Sequence, residues 1–369
     1  MHRDTAILHA GYRSTDSEGP FLGGPQFSST YLARGEPGGH SLTYGRFHNP
    51  TWTAWEGALG VLEGGHAVAF ASGMAAVAAV FGTTLKPGEA VVLPSDSYYT
   101  TRLLASSWLR AIGVEVRLAA TRDNAQAKVL DGARLLWVET PTNPQLDVCS
   151  IRQLVETAKA RDVLVAVDNT TATAYLQQPL ALGATYVVAS DTKALSGHSD
   201  LVLGHVATGD AERGAALRTW RTQHGSIPGP MEVWLAHRSL ATLPLRLSQQ
   251  CRSAQELAMF LSSRSDVEAV HYPGLPSHPG HAIAREQMLA FGPVVSFDFG
   301  TQERADTFLR SLSLVREATS FGGVHSTAER RARWGGDAIS EGFVRFSVGC
   351  EHTQDLLDDV ERALDKSAG

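Results

Sequence analysis

The sequence predicts an α/β protein with a mainly parallel sheet in a large domain, followed by a smaller α+β domain. Short apolar runs alternate with segments of helical spacing through the first two-thirds of the chain. Most of these runs are apolar on both faces, which is typical of parallel strands that helices cover on both sides. A breaker rich in Gly and Pro at residues 225–230 precedes a segment with a different pattern. A chain of 369 residues is long enough for one large and one small domain.

The elements follow in order along the chain. Seven apolar runs between turn residues predict the strands of the first domain: 67–70, 90–93, 114–118, 135–139, 163–167, 186–189 and 201–207. Helical spacing between these runs predicts helices that complete βαβ units, over 73–81, 101–111 and 151–160. The later elements are helices over 211–223, 231–263 and 353–365 and strands near 267–271, 294–299 and 343–348.

The first fifty residues differ from the rest of the chain. They are rich in Gly, Ser, Thr and Tyr and show no steady hydrophobic period, which indicates an extended arm. We therefore expect three parts: an arm at 1–50, an α/β domain at 51–230 and an α+β domain at 231–369.

Charge and composition exclude several functional classes. The chain carries 32 basic and 38 acidic residues and no run of Lys or Arg, so no nucleic-acid partner is expected. Its three cysteines show no C-x-x-C spacing, which argues against a disulfide framework and a zinc site and fits a reducing cytoplasm. The N-terminus shows no export signal. The uncharged stretch 67–85 is interrupted by turn residues, which favours a strand, a turn and a buried helix over a membrane span.

One of the five lysines lies where a ligand is expected. Lys193 follows the predicted strand 186–189, and the hydroxyl residues Ser190 and Thr192 lie between the two. Ligands collect at the carboxyl ends of the strands in open α/β sheets. A lysine at that place indicates an amine that forms a Schiff base beside a phosphate group, although a lysine after a strand is also often a solvated surface charge.

Two other segments fit a cofactor with a phosphate group and a pyridine ring. Asp168 directly follows the apolar run 163–167, where a carboxylate is costly unless it has a partner such as a pyridinium N–H. The alternative is a buried Asp that caps a turn. Ser72, Gly73 and Met74 join a strand to an Ala-rich helix, so free N–H groups and the helix dipole can bind a phosphate there. The alternative at this segment is an ordinary helix start.

The lysine segment resembles a known family. Ser190-Asp191-Thr192-Lys193 with Gly197-His198-Ser199-Asp200 is similar to the lysine motif of the Cys/Met-metabolism enzymes that use pyridoxal 5′-phosphate (PLP), the family of cystathionine γ-lyase and cystathionine γ-synthase. Further blocks match in the same order over nearly the whole chain: 44–46 with 49–51, 72–74, 139–144, 167–170, 272–275, 320–323 and 344–349. The resemblance implies PLP-dependent fold type I, the fold of aspartate aminotransferase.

The resemblance also implies which residues hold PLP. Lys193 would form the Schiff base, and Asp168 would hold the pyridine nitrogen. The phosphate would be bound by backbone N–H groups and hydroxyl groups of Ser72, Gly73, Met74, Ser190 and Thr192. A tyrosine and an arginine of a neighbouring subunit reach the phosphate in this family, and here they would be Tyr44 and Arg46. The active unit would therefore be a homo-oligomer, a tetramer built from dimers that share their active sites.

The remaining site residues are assigned to the substrate by the same resemblance. Tyr98 would stack on the cofactor ring and act as a catalytic residue together with Lys193. Arg345, helped by Asn143 and Ser320, would bind the carboxylate of an amino-acid substrate.

The chain departs from the family at the distal end of the substrate. Tyr99 follows Tyr98 where the family commonly has Gly, which leaves open which tyrosine stacks on the ring. Thr43 and Thr319 stand where enzymes that act on cystathionine often carry acidic residues. The sequence after Thr319 contains three arginines, Arg330, Arg331 and Arg333. Either one of them meets the distal carboxylate of cystathionine, or the stretch forms a solvated helix face.

The expected function is that of a PLP-dependent carbon–sulfur lyase of cysteine and methionine metabolism. We expect a cystathionine γ-lyase, which cleaves L-cystathionine to cysteine, 2-oxobutanoate and ammonia. The alternatives are a cystathionine γ-synthase, a methionine or homocysteine γ-lyase and, more remotely, a PLP-binding protein without catalysis. No membrane partner is expected. No metal is expected either, because the spacing of His271, His278 and His281 fits no helix face with a third ligand.

Overall fold

The computed structural model describes residues 1–11, 18, 20 and 22–367. The remaining residues of the predicted arm, 12–17, 19 and 21, and residues 368–369 lie outside the described part. Within the described ranges the chain forms a larger and a smaller β-sheet, each with helices packed against it. The α/β class predicted from the sequence is confirmed.

The larger sheet has seven strands in the described part of the chain: β1 (His66–Phe70), β2 (Ala90–Pro94), β3 (Glu115–Ala119), β4 (Leu135–Glu139), β5 (Leu164–Asp168), β6 (Tyr186–Ala189) and β7 (Gly204–Thr208). They lie in the order β1-β7-β6-β5-β4-β2-β3. Strands β2 to β6 pair in parallel, whereas β7 is antiparallel to both β1 and β6. All seven predicted strands are present, and their ends differ from the prediction by three residues or fewer.

The smaller sheet contains β8 (Ala269–His271), β9 (Val294–Asp298), β10 (Arg316–Glu317), β11 (Thr327–Arg330) and β12 (Phe343–Ser347). Their order is β10-β11-β12-β9-β8, and only the β10–β11 pairing is parallel among the pairs of this described sheet. The sequence predicted β8, β9 and β12 but missed β10 and β11. Strand β11 buries the charged residues Glu329 and Arg330 instead of an apolar run, so it lacks the pattern of a strand.

The helices of the described ranges are α1 (Arg3–His9), α2 (Pro50–Glu63), α3 (Gly73–Thr84), α4 (Tyr99–Leu104), α5 (Ile151–Lys159), α6 (Thr173–Leu176), α7 (Ala211–His224), α8 (Pro230–Leu240), α9 (Leu243–Ser263), α10 (His281–Gln287), α11 (Gln302–Ser311) and α12 (Thr353–Ser367). None of them is long and apolar enough to cross a membrane. The uncharged stretch 67–85 forms most of β1 and then α3, as expected from its turn residues.

Two helix predictions need correction. The helix predicted over 231–263 is two helices, α8 and α9, because the chain breaks at residues 241–242 and Pro244 begins the next helical turn. The helix predicted over 101–111 is α4 followed by a π-helical turn at 105–109. The arm also contains the short helix α1, which its composition did not predict.

Both faces of the larger sheet are buried. Leu135 and Trp137 of β4 pack in one apolar cluster with α3 and α7, whereas Leu136 and Val138 pack in another with α5. Helices α2, α8 and α9 share a third cluster with α1. This burial on both faces explains why the strands read as continuous apolar runs. The domain boundaries at residues 50 and 230 stay predictions.

The carboxyl ends of the central strands meet at one edge of the larger sheet. Glu139 is the last residue of β4 and pairs with Asp168, the last residue of β5. The segment 190–193 follows β6 directly. The parallel topology therefore brings two carboxylates and the predicted lysine segment to the same place.

The packing of α3 against α7 depends on a glycine. Gly82 of α3 faces the indole of Trp220, and a Cβ atom at residue 82 would overlap that ring. The indole is stacked on His224 with 3.6 Å between ring centroids, which limits its freedom to move away. We expect Gly82→Ala to lower the free energy of unfolding by about 1 to 3 kcal/mol, as overpacking does, although alanine favours helices.

A matched control is available in α2. Gly57 is exposed, and a Cβ atom added there would meet no other atom within 4 Å. Gly57→Ala should therefore raise the free energy of unfolding by about 0.5 to 1 kcal/mol. Thermal unfolding midpoints of both variants and the wild type measure the difference. A Gly82→Ala protein that is as stable as Gly57→Ala would show that the Trp220 indole moves aside with no loss in the free energy of unfolding.

Candidate active site

A cavity of about 450 Å³ lies at the carboxyl edge of the larger sheet. Eleven of the thirteen predicted site residues line it: Ser72, Gly73, Met74, Tyr98, Asn143, Asp168, Ser190, Thr192, Lys193, Ser320 and Arg345. They come from distant parts of the sequence and from both sheets. The structure therefore brings all of the predicted substrate residues, and all of the predicted cofactor residues except Tyr44 and Arg46, into one cavity.

Lys193 is a largely buried amine among other charges. Its Nζ donates a hydrogen bond to Ser320 Oγ at 2.7 Å and lies 5.1 Å from the centroid of the Phe321 ring. Burial, and then the positive charge of Arg345, lower the pKa of Lys193 to about 8. A larger share of this amine is neutral near physiological pH than for an ordinary lysine, and only the neutral amine is a base or a nucleophile.

Two carboxylates lie side by side at the ends of β4 and β5. Asp168 accepts a hydrogen bond from the Thr170 N–H at 3.0 Å, and burial raises the pKa of Asp168. Glu139 accepts from the N–H groups of Tyr98 and Asn143, both at 2.8 Å. Burial and the neighbouring Asp168 raise the pKa of Glu139 well above its ordinary value. Glu139 thus fixes two residues of the cavity wall, a role that the sequence analysis missed even though Glu139 ends an apolar run as Asp168 does.

The N-terminus of α3 packs tightly against the lysine segment. A Cβ atom at Gly73 would lie 2.8 Å from Ser190 Cβ, and one at Gly204 would lie 2.6 Å from Gly73 Cα. Ser72 caps the helix, since its hydroxyl oxygen accepts from the Ala75 N–H at 3.1 Å. This twelve-residue helix therefore presents its first N–H groups and the positive end of its dipole to the cavity.

These residues fit PLP. The helix N-terminus suits the phosphate, the buried carboxylate of Asp168 suits a pyridinium nitrogen, and the amine of Lys193 suits the aldehyde. Thr192 Oγ1 accepts a hydrogen bond from the Leu203 N–H at 3.0 Å, and this bond fixes the position of the hydroxyl.

Arg345 lies on β12 and is nearly fully buried. It donates to Asn143 Oδ1 at 2.6 Å and to the Ser320 carbonyl at 2.9 Å. The three residues that were predicted to bind the substrate carboxylate together are therefore in direct contact. Arg345 also forms an ion pair with Glu329 of β11. Burial opposes the charge of Arg345 and lowers its pKa to about 10.

Glu329 is a second site residue that the sequence analysis missed. Besides Arg345, its carboxylate accepts from Arg331, Arg333 and the Trp334 indole N–H. Burial favours the neutral acid, but these cations and hydrogen bonds outweigh it and lower the pKa of Glu329. Its position opposite Arg345 in the β11–β12 register was not visible, because β11 itself was not predicted.

The two tyrosines at the cavity differ in their surroundings. Both Tyr98 and Tyr99 line the cavity and are about equally exposed. Tyr99 packs against Gly336, and the guanidinium of Arg102 lies 5.7 Å from its ring. Arg102 in turn forms an ion pair with Asp337. Tyr99 is thus occupied in the contact between α4 and residues 336–337, and the geometry favours Tyr98 for stacking on a cofactor.

Arg330, Arg331 and Arg333 do not form a solvated helix face, so that interpretation is wrong. Arg330 belongs to β11 and pairs with Asp306 and Glu341, whereas Arg333 pairs with Glu317 and Glu329. Arg331 is buried, lines the cavity and pairs with Glu329 and Asp337. Its Nε has no hydrogen-bond partner within the described ranges.

Tyr44 and Arg46 lie away from this cavity. Arg46 donates to the Thr222 carbonyl at 2.7 Å, and its guanidinium lies 5.6 Å from the centroid of the Tyr44 ring. Their expected contact with the phosphate of a neighbouring subunit stays a prediction. Thr319 lines the cavity, and its hydroxyl donates to Glu329 at 3.3 Å, whereas Thr43 lies outside it. In the described part of the chain no cluster of His, Cys, Asp and Glu is suited to a metal ion.

The sequence matches a family model over residues 4–365, and that family is described as Cys/Met metabolism PLP-dependent enzyme. The chain belongs to this family. PLP is therefore the cofactor of this Cys/Met-metabolism enzyme, and the resemblance inferred from the lysine segment is confirmed.

Relatives of this Cys/Met-metabolism enzyme carry the names of several activities. A Streptomyces coelicolor protein provisionally named cystathionine γ-lyase is 52% identical over 98% of this chain and 93% of its own. A Mycobacterium tuberculosis cystathionine γ-synthase is 40% identical over 98% of this chain and 96% of its own. The solved structure of an apo methionine γ-lyase from Micromonospora echinospora is 39% identical, covers 99% of both chains and has a TM-score of 0.93. The chain is thus a carbon–sulfur lyase-type enzyme with the predicted fold.

The lowered pKa of Lys193 gives a testable prediction. Reductive alkylation of the apoprotein by a small aldehyde should label Lys193 at a rate that is half-maximal near pH 8, because only the neutral amine reacts. Mass spectrometry of the peptide that contains Lys193 measures the rate at each pH, and Lys193→Ala should lose this signal.

A midpoint at the ordinary lysine value of about 10.4 would contradict the buried position of this amine. In the holoenzyme, borohydride should fix PLP to the same peptide. Fixation at Lys86, Lys128, Lys159 or Lys366 instead would refute the assignment of the Schiff-base lysine.

Proposed function

We propose that this enzyme is a cystathionine γ-lyase, which converts L-cystathionine to cysteine, 2-oxobutanoate and ammonia. The observation that carries the proposal is the position of Ser320 between two groups that act at the substrate Cα. Its hydroxyl accepts from Lys193 at 2.7 Å, and its carbonyl accepts from Arg345 at 2.9 Å. A carboxylate bound by Arg345 therefore has its Cα close to the amine of Lys193.

The residues around PLP have separate roles in this proposal. When bound, PLP supplies the electron-withdrawing group that makes the Cα proton acidic. Asp168 holds the pyridine nitrogen. Because Asp168 is buried, its carboxylate stays ionised most favourably when a positively charged partner such as the pyridinium N–H is close. Lys193 takes the proton from Cα, for which its lowered pKa suits it.

The phosphate end is held by the helix terminus and the lysine segment. The N–H groups of Gly73 and Met74 bind the phosphate at the start of α3, where the helix dipole attracts an anion. The hydroxyls of Ser190 and Thr192 complete this end, and Ser72 orients the first helical turn by its capping hydrogen bond. The close contact between Gly73 and Ser190 supports this arrangement, since it brings the two segments together.

Tyr98 serves the leaving group. Its ring lies at the cavity wall, where it would stack on the bound cofactor, and its phenol would protonate the departing sulfur. The hydrogen bond from the Tyr98 N–H to Glu139 holds the backbone of this residue in place. The geometry of Tyr99, which packs on Gly336, supports this choice between the two tyrosines.

Arg331 is the candidate for the distal carboxylate of cystathionine. Of Arg330, Arg331 and Arg333, it is the only one that lines the cavity in the described structure. Its Nε has no hydrogen-bond partner in the described residues, and its guanidinium charge suits a further carboxylate. The relative from Streptomyces coelicolor supports the γ-lyase activity.

A methionine or homocysteine γ-lyase is the second candidate. Thr319 stands at the cavity where an acidic residue would meet the distal amino group, and its hydroxyl is already bonded to Glu329. A simpler thiol substrate needs no such contact. A cystathionine γ-synthase would use the same residues at Cα, and a PLP-binding protein without catalysis is disfavoured because Lys193, Asp168 and Arg345 all meet in one cavity.

The assembly and location of the enzyme belong to the same proposal. The exposed ring of Tyr44 and the position of Arg46 outside the cavity support active sites that are shared between the subunits of a dimer. The family resemblance adds that such dimers pair into a homotetramer. The cysteines Cys149, Cys251 and Cys350 are all free, which supports a location in the reducing cytoplasm.

Arg345 should contribute similarly to all substrates of this site. Arg345→Ala removes a charged pair with the α-carboxylate, which every candidate substrate carries, so kcat/KM should fall by an amount equivalent to about 2 to 4 kcal/mol for each. Steady-state kinetics with cystathionine, homocysteine and methionine measure the loss. A loss confined to one substrate would mean that Arg345 does not bind the shared carboxylate.

Arg331 and Arg333 provide a matched pair for the distal end. Both contact Glu329, but only Arg331 of the two lines the cavity. Arg331→Gln should reduce kcat/KM for cystathionine by at least tenfold and for homocysteine by less than threefold, whereas Arg333→Gln should change neither strongly. Equal losses on both substrates in Arg331→Gln would shift the proposal to the simpler γ-lyase.

Shared active sites predict complementation between inactive variants. A mixture of Lys193→Ala and Arg46→Ala subunits should regain activity after subunit exchange, because one site of each hybrid dimer has both residues intact. Lys193→Ala mixed with Asp168→Ala is the control that should stay inactive, since both residues belong to one chain's cavity. Hybrids that form but remain inactive would exclude sharing through Arg46.

A further inference from the structure

A buried charged cluster lies behind the lysine segment, outside the active-site cavity. It consists of Glu63 at the end of α2, His205 in β7 and Asp191 in the segment after β6. The side chains of all three are fully buried. We refer to these three residues as the buried triad.

The geometry of the buried triad favours a charged imidazole. His205 Nδ1 lies 2.6 Å from Asp191 Oδ1, and His205 Nε2 lies 3.0 Å from Glu63 Oε1. Only an imidazolium can donate to both carboxylates at once. Burial lowers the pKa of His205, but the charge and hydrogen bond of Asp191 and those of Glu63 outweigh it and raise this pKa to about 10.

Asp191 depends on His205 for its partner. The second carboxylate oxygen, Oδ2, has no hydrogen-bond partner among the described residues, and the same is true of Glu63 Oε2. Glu63 also faces the positive charge of Arg3 from α1. A buried carboxylate that loses its only cation is strongly unfavourable, so the Asp191 side chain is anchored at His205.

His205 occupies the strand between the two segments that surround the cofactor. In the register of the larger sheet it is paired with Ala69 of β1 on one side and with Ala189 of β6 on the other. Strand β1 leads into the N-terminus of α3, and β6 leads into Lys193. Next to His205, Gly204 touches Gly73.

The anchored residue lies within the cofactor segment itself. Asp191 is flanked by Ser190 and Thr192, both of which line the cavity, while its own side chain points into the core. The backbone carbonyl of Asp191 accepts from the Ser196 N–H at 3.0 Å, which closes the turn that carries Lys193. Fixing the Asp191 side chain therefore fixes the direction of its two neighbours.

We propose that His205 is a positioning residue that anchors Asp191 and thereby holds Ser190, Thr192 and Lys193 in the arrangement that binds PLP. The inference rests on PLP as the cofactor and is independent of which sulfur amino acid the enzyme cleaves. Glu63 balances the charge of His205 from the side remote from the cofactor segment.

Asp191→Ala and Glu63→Ala form a matched pair for the test. Each removes one carboxylate and leaves His205 paired with the other, and Glu63→Ala also removes the carboxylate that faces Arg3. Asp191→Ala should weaken the binding of PLP to the apoprotein at least tenfold, measured by absorbance titration, whereas Glu63→Ala should weaken it less than threefold. The thermal unfolding midpoints of the two apoproteins should be similar, and Asp191→Asn, which keeps an acceptor for His205, should recover most of the affinity.

Equal losses of PLP affinity in both alanine variants, or no loss in either, would overturn the proposal. A second measurement reads the protonation state of His205 in the wild-type protein. Nitrogen NMR of histidine-labelled wild-type apoprotein at pH 8 should show one imidazole with both ring nitrogens protonated, which His205→Gln removes. A neutral His205 at that pH with no proton on Nδ1 could not donate to Asp191 and would overturn the proposal equally.

Discussion

The burial of charge at the carboxyl edge of the larger sheet is the constraint on which the rest of the site depends. Cations and anions meet there with little water to screen them: Lys193, Arg331, Arg345, Asp168, Glu139 and Glu329. A buried charge without a partner costs several kcal/mol, so each needs a hydrogen bond or an ion pair from the protein. Glu139 meets this need with two backbone N–H groups, and Glu329 with several side chains. The charge pattern of the cavity is consequently set before a ligand binds.

Neither sheet supplies this pattern alone. The larger sheet contributes the carboxylates at the ends of β4 and β5, whereas the smaller sheet contributes Arg345 and Glu329, which face each other across β11 and β12. Hydrogen bonds across the cavity join the two parts, among them that from Lys193 to Ser320. Arg102 and Gln145 also reach residues 336–338 from the larger sheet's side. The cavity therefore exists only as the two parts pack together.

The parts of this fold that the sequence predicts are those with a local signal. The strands of the larger sheet are buried on both faces, so each reads as an apolar run, and Asp168 and Lys193 stand out because polar groups follow such runs. Strand β11 has no such signal, since its buried side chains are charged and are stabilised by partners distant in sequence. The roles of Glu329 and His205 likewise depend on partners elsewhere in the sequence, whereas Glu139 ends an apolar run and does carry a local signal. The split between α8 and α9 was missed because the apolar spacing continues across residues 241–242.

The contact between Gly73 and Gly204 has a consequence for how this scaffold can diversify. Neither position has space for a side chain, because a Cβ at either would meet the backbone or Ser190. The cofactor end of the cavity is therefore closed to changes in side-chain size. The opposite end is lined by side chains, among them Thr319 and Arg331. Side-chain size can therefore vary at that end of the cavity but not at the end formed by Gly73 and Gly204.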